Sequence, residues 1–205
     1  AAGSGSWRAG WQSVRGHPTA RAAVTAVVAA HAVMVAVMSM TPLHMQHHAG
    51  HAAGRPDTIA LIGFTISLHI AGMYALSPLM GWLTDRLGAA RTVLAGMGTL
   101  AAAMALTGLA ARHMPAVTAG LILLGLGWSA ATVAGSTLLV SSLTPDQRVP
   151  AQGFSDAAMS LAGAAGSAAA GPAMGLIGYP GISAMAAALA TAAAVALIRL
   201  TATDR

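Results

Sequence analysis

The sequence predicts an all-α membrane protein, a bundle of six transmembrane helices, and three observations carry that prediction. Composition is the first: 56% of residues are hydrophobic and 7% charged, against roughly a quarter charged in a soluble domain. The apolar residues also fall into six runs, each near the roughly twenty residues that cross a hydrocarbon core. Finally, the arginines gather on one side of those runs. The 205 residues contain no Cys, Lys or Glu, which leaves no disulfide framework and no thiolate metal site.

Residues 1–19 are rich in Gly, Ser, Trp and Arg, lack the apolar core of a signal peptide, and read as a cytoplasmic linker or tail. The bundle is expected over residues 20–200. Its spans are Ala20–Met40, Thr58–Met80, Thr92–Ala111, Pro115–Val140, Gly153–Ile177 and Pro180–Leu200, and residues 201–205 form a short cytoplasmic tail. Pro42, Pro78, Pro115 and Pro180 fall at the edges of these runs, where a missing N–H costs little. Lipid offers the backbone no partners and the runs lack a two-residue alternation, so helices are expected rather than barrel strands.

Arg8, Arg15, Arg21, Arg86, Arg91, Arg148, Arg199 and Arg205 share one face of this topology, and only Arg55 and Arg112 lie on the other. That asymmetry places both termini in the cytoplasm. Because the arginines are spread over separate connections, the pI of 11.4 does not signal a nucleic-acid-binding face.

The densest charged stretch, Gly81 to Arg91, reads GWLTDRLGAAR and lies between two apolar runs. It reads as a hairpin loop at a membrane surface, and it resembles the loop signature of the major facilitator superfamily, Gly-x-x-x-Asp-Arg-x-Gly-Arg-Arg. Gly81, Asp85, Arg86 and Gly88 stand in the signature positions; Ala89 and Ala90 replace its basic residues, and Arg91 supplies a displaced one. The resemblance implies a secondary active transporter in a bacterial-type plasma membrane, moving a small solute by alternating access, with proton-coupled efflux as one mode. It also implies that six spans are half of a twelve-span fold. The other half would lie upstream in the same chain or come from a second copy. The fourth span has no Arg, which the amino-terminal half of the family commonly carries there, so the carboxy-terminal half is expected. The resemblance assigns Gly81, Asp85, Arg86, Gly88, Arg91 and Asp156 to gating on the cytoplasmic side. Ser167, Gly171, Pro172 and Gly175 partly match the family's antiporter signature on the fifth span.

Gly163, Ser167, Gly171 and Gly175, and likewise Gly127, Ala131 and Gly135, recur every four positions and predict close helix contacts. His31 and His69 fall near the centres of the first two spans, where ionisable groups are costly and commonly functional. They are candidates for proton or substrate handling. Tyr74, Trp128, Ser129 and Thr132 are candidates to line a cavity. A loop holding His44, His47, His48 and His51 with several methionines has the donors for soft or borderline cations, so a metal-binding or metal-transporting membrane protein is the alternative reading. Catalysis is not expected. Gly127-Trp128-Ser129 resembles part of a rhomboid-type protease motif, but the sixth span has no His, and without Glu there is no His-Glu-x-x-His. These residues call for no cofactor. The expected partners are the lipid bilayer, the other six-helix half, a small-molecule substrate and protons, with no nucleic acid.

Overall fold

The computed structural model describes residues 7–50 and 54–202; His51 and Arg205 lie outside the described residues. All the regular structure described is helical: α1 (Trp7–Arg15), α2 (Pro18–Ala49), α3 (Pro56–Tyr74), α4 (Ser77–Leu87), α5 (Ala89–Leu109), α6 (Met114–Ser141) and α7 (Pro145–Ala202). Five stretches are long and apolar enough to cross a membrane, with α3 and α4 counting as one. The last, α7, is two crossings. At Gly178 the backbone takes φ 67°, ψ −179°, a conformation in which a Cβ is strained. Phe154 and Leu200 line one hollow, although a straight helix would hold them about 69 Å apart. The chain therefore folds back at Gly178, which gives six crossings as expected.

Element ends differ from the sequence reading in instructive ways. The first helix continues past Met40 to Ala49, so the expected His/Met loop is helical as far as Ala49 and Pro42 lies inside the helix. Thr41 Oγ1 donates to the Val37 carbonyl beside that proline. The second crossing breaks at Ala75–Leu76 because Pro78 has no N–H to continue the ladder; Ser77 Oγ donates to the Met73 carbonyl at the break. The stretch Gly81–Leu87, expected in a loop, is the end of α4. Only Gly88 separates α4 from α5, at φ 88°, ψ 146°. That region is essentially confined to glycine, which accounts physically for the signature's second Gly. Within the stretch expected to be a linker or tail, residues 7–15 form α1, which docks on α7, with Trp7 and Trp11 against Phe154 at 4.5 and 5.7 Å between ring centroids.

The interior is organised around α6, which meets α2, α3, α4 and α5. Backbones approach where side chains are missing. A Cβ on Gly127 would lie 2.9 Å from the Gly96 carbonyl oxygen and 2.9 Å from the Leu100 nitrogen, and one on Gly125 would collide with the His69 carbonyl. Gly135 similarly seats Val27 of α2. On α7 the close contacts are made by Gly163 and Gly166 against α2, whereas Gly171 and Gly175 face open space. The predicted stripe on the fifth span is thus a packing surface only at its start. Gly127→Val should lower stability by about 1–3 kcal/mol through overpacking, read as a fall in the denaturation midpoint in detergent. Gly98→Val, at a position with nothing within 4 Å, should change it by less than about 0.5 kcal/mol.

Candidate functional site

Four crossings contribute to one polar-aromatic cluster near the middle of the bundle. His31 comes from α2, Tyr74 from the end of α3, Trp128 from α6 and Gly163 from the first arm of α7. Trp128 Nε1 donates to His31 Nδ1 at 3.2 Å, which places the proton of a neutral His31 on Nε2. The indole also meets Tyr74 edge-on, with ring centroids 6.0 Å apart. Gly163 is the seat of the imidazole: a Cβ there would stand 2.8 Å from His31 Cδ2 and 3.0 Å from Nε2. Half-buried His31 and Tyr74, the latter 60% exposed, open the cluster to the outside of this bundle.

The break at Pro78 extends the site. It brings Ser77 Oγ within 3.5 Å of Ser129 Oγ, one residue beyond Trp128. One turn further along α6, Thr132 Oγ1 is buried with no hydrogen-bond partner. Buried hydroxyls are nearly always paired, so this one is an exception among the described residues. Tyr74, Trp128, Ser129 and Thr132, the residues expected to line a cavity, thus share a stretch with His31.

His69 lies elsewhere. Its Nδ1 donates to the Leu121 carbonyl at 2.8 Å, and the side chain is enclosed between α3 and α6 at 2% exposure. Leu121 and Trp128 are seven residues apart on α6, about 10 Å along the axis, so the two histidines are held at separate places. His69 Nε2 is buried without a partner.

At the far end of α2, His44 Nε2 donates to the Ala111 carbonyl at 2.7 Å. The ring stacks on Tyr179 at 4.1 Å and 6°, and Tyr179 Oη contacts Thr41 Oγ1 at 3.0 Å. His44 thereby joins α2 to the α5–α6 connection and to the second arm of α7. His48 follows at 6.4 Å between ring centroids, and both His47 and His48 are exposed. Among the described residues no three metal-type side chains gather, and His51 is not among them.

At the opposite end Asp85, Arg86, Gly88 and Arg91 are exposed and Gly81 is half-buried. Arg86 lies over the Trp82 ring at 5.1 Å. Asp156, expected one turn into its helix, is three turns in because α7 starts at Pro145; it is exposed and accepts from Gln152 Nε2 at 2.9 Å. Among the described residues neither carboxylate is ion-paired, so these charges are not brought together within the bundle. Sequence reasoning missed Gly163 as the seat of His31 and Tyr179 as the partner of His44. The four-residue recurrence marked Gly163 as a packing position but gave no sign of which side chain it seats.

The fold and cluster define a polytopic α-helical membrane protein with a polar site opening on one face. The family model described as Major Facilitator Superfamily matches residues 23–205, and the chain belongs to that superfamily. Two uncharacterised MFS-type transporters of Bacillus subtilis, YddS and YdeG, are each 38% identical to it, over 71% and 72% of this chain and 32% and 33% of their own lengths. A riboflavin transporter of Brucella anthropi, RfnT, is 32% identical over 65% of this chain and 31% of its own length. The matched part thus spans about a third of these relatives. No solved structure gives a significant match.

The indole–imidazole bond is directly testable. Trp128→Phe and His31→Leu, singly and together, should show a coupling of about 1 kcal/mol in a double-mutant cycle on stability. Strict additivity would mean the bond contributes nothing.

Proposed function

We propose that this chain is the carboxy-terminal six-span half of a proton-coupled secondary transporter, and that its His31–Trp128–Tyr74 cluster faces the other half across the solute pathway. The carrying observation is that side chains from three crossings, His31, Tyr74 and Trp128, meet at one partly open polar-aromatic site, with Gly163 of a fourth leaving room for the imidazole. Rings with adjacent hydroxyls suit a planar heteroaromatic solute, which would stack on them and hydrogen-bond at its edge. The likeness to a riboflavin transporter supports that class and makes riboflavin the first solute to test. The arginine asymmetry supports cytoplasmic termini.

Proton coupling follows from the donor pattern. While Trp128 donates to His31 Nδ1, that nitrogen must be unprotonated. A second proton on His31 makes both ring nitrogens donors and breaks the bond, which frees the indole N–H for solute. Proton and solute binding are then linked through one side chain. His69, enclosed between helices, acts in packing. In vesicles holding the intact transporter, His31→Gln should slow pH-gradient-driven riboflavin movement about tenfold or more, the scale of one hydrogen bond to a charged group, and abolish its dependence on the gradient. His69→Gln should keep that dependence. Equal dependence in wild type and His31→Gln would remove His31 from coupling.

Exposed and without an ion-pair partner among the described residues, Asp85 is assigned to the closing contact with the other half, together with Gly81, Arg86, Gly88, Arg91 and Asp156. Asp85→Asn should impair transport of the intact protein while its amount in the membrane is unchanged. Normal transport would make Asp85 a surface anchor.

A further inference from the structure

A different face of the bundle carries a feature that the solute pathway does not use. Two adjoining hollows follow the seam between α2 and the two arms of α7, and a third depression lies beside them on the second arm. The first, of about 340 Å³, lies at mid-depth and is lined by Ala32, Ala36, Gly166, Ala170, Ala186 and Leu189, among others. Ala32 and Leu189 also line the second, of about 600 Å³, which runs past Val28 and Ala158 to Trp11 and Arg21. Leu200 joins this to a shallower depression lined by Arg199. From Leu189 to Leu200 the helix rises about 17 Å, close to the roughly 15 Å hydrocarbon depth of one leaflet.

The two ends of this seam differ in chemistry. Its body is apolar and walled largely by alanine, a hollow left where small side chains of α2 and the two arms of α7 face one another. Its mouth is basic and aromatic. Arg21 is exposed, and Trp11, 47% exposed, leans on Phe154. Helix α1 carries Trp7, Trp11 and Arg15 at four-residue intervals, a pattern suited to the headgroup boundary. Asp156 is the carboxylate nearest in sequence to the lining residues of α7; it sits about 200° round the helix from Phe154 and does not line the hollow. Basic pockets between helices at the cytoplasmic boundary recognise anionic headgroups.

We propose that this seam holds one anionic glycerophospholipid, with an acyl chain in the hollow from Leu200 to Ala32 and its phosphate against Arg21. The site couples the docked helix α1 to the bundle, because the lipid touches α1, α2 and both arms of α7 at once.

The test is native mass spectrometry of the intact transporter released from mixed micelles holding equal dioleoyl-phosphatidylglycerol and dioleoyl-phosphatidylcholine. The wild type should retain one phosphatidylglycerol in preference to phosphatidylcholine. Arg21→Gln should cut that preference about fivefold, the scale of one basic residue near an anionic surface. Ala32→Leu, which fills the junction of the two hollows, should lower retention of the lipid with Arg21 intact. Helix content by circular dichroism checks that both variants fold. Equal retention of the two lipids would mean a non-selective shell and overturn the proposal. No retained lipid would mean that the other half of the transporter covers the seam, which also overturns it. Retention unaffected by Ala32→Leu would place the phosphate at the surface with no chain in the hollow, and the groove site would be wrong.

Discussion

Helix α6 can sit at the centre of this bundle because it lacks side chains on several sides at once. Gly120 receives Thr107 of α5, Gly125 meets the His69 backbone of α3, Gly127 meets Gly96 and Leu100 of α5, and Gly135 receives Val27 of α2. In lipid no hydrophobic drive brings helices together, so close backbone approach and the dispersion it permits must supply the attraction. Each glycine fixes the distance and rotation of a neighbour, and the positions of α2, α3 and α5 follow. The polar site is a consequence. Once α6 is clamped, the Trp128 indole has a fixed direction, and His31 can meet it only because Gly163 leaves room on the far side.

The same clamping separates the two central histidines in kind. His69 is enclosed: its Nδ1 is committed to the Leu121 carbonyl and its ring is walled in by α6. His31 bonds another side chain, and that bond depends on which nitrogen carries the proton. A bond to a backbone carbonyl resists change, whereas a bond between two side chains near an opening can be exchanged for one to a solute. Burial and partner type, rather than depth in the membrane, are what distinguish the two histidines.

Much of this architecture was legible in the sequence, and the failures have physical causes. Six crossings followed from composition and spacing, and the family from the resemblance of Gly81–Gly88 to its loop signature. Span ends were less legible, because hydropathy marks where lipid begins and not where a helix stops. His44, His47 and His48 continue α2 beyond the apolar run, and Asp146 to Gln152 do the same at the start of α7. Pro42 was read as an edge for that reason, yet it is accommodated inside α2. The break at Pro78 was read as an edge too, but it lies within the second crossing, where it aims Tyr74 and Ser77 at α6. Of the site, the residue types were legible and their grouping was not: His31, Tyr74 and Trp128 are joined by helix rotation, which depends on contacts between residues far apart in sequence. The charges expected to gate are the converse case, recognisable from the motif, yet neither Asp85 nor Asp156 is ion-paired among the described residues.

The central claim is that the face bearing Tyr74 and His31 lines a solute pathway rather than lipid. The chain has no cysteine, so single cysteines placed in it report unambiguously on this part of the protein. In the intact transporter, Tyr74→Cys should react with a membrane-impermeant thiol reagent and be protected by the transported solute, while Phe64→Cys, at a position 61% exposed on the same helix, should stay unreactive in lipid. An unreactive Tyr74→Cys, or one whose labelling ignores solute, would contradict the account.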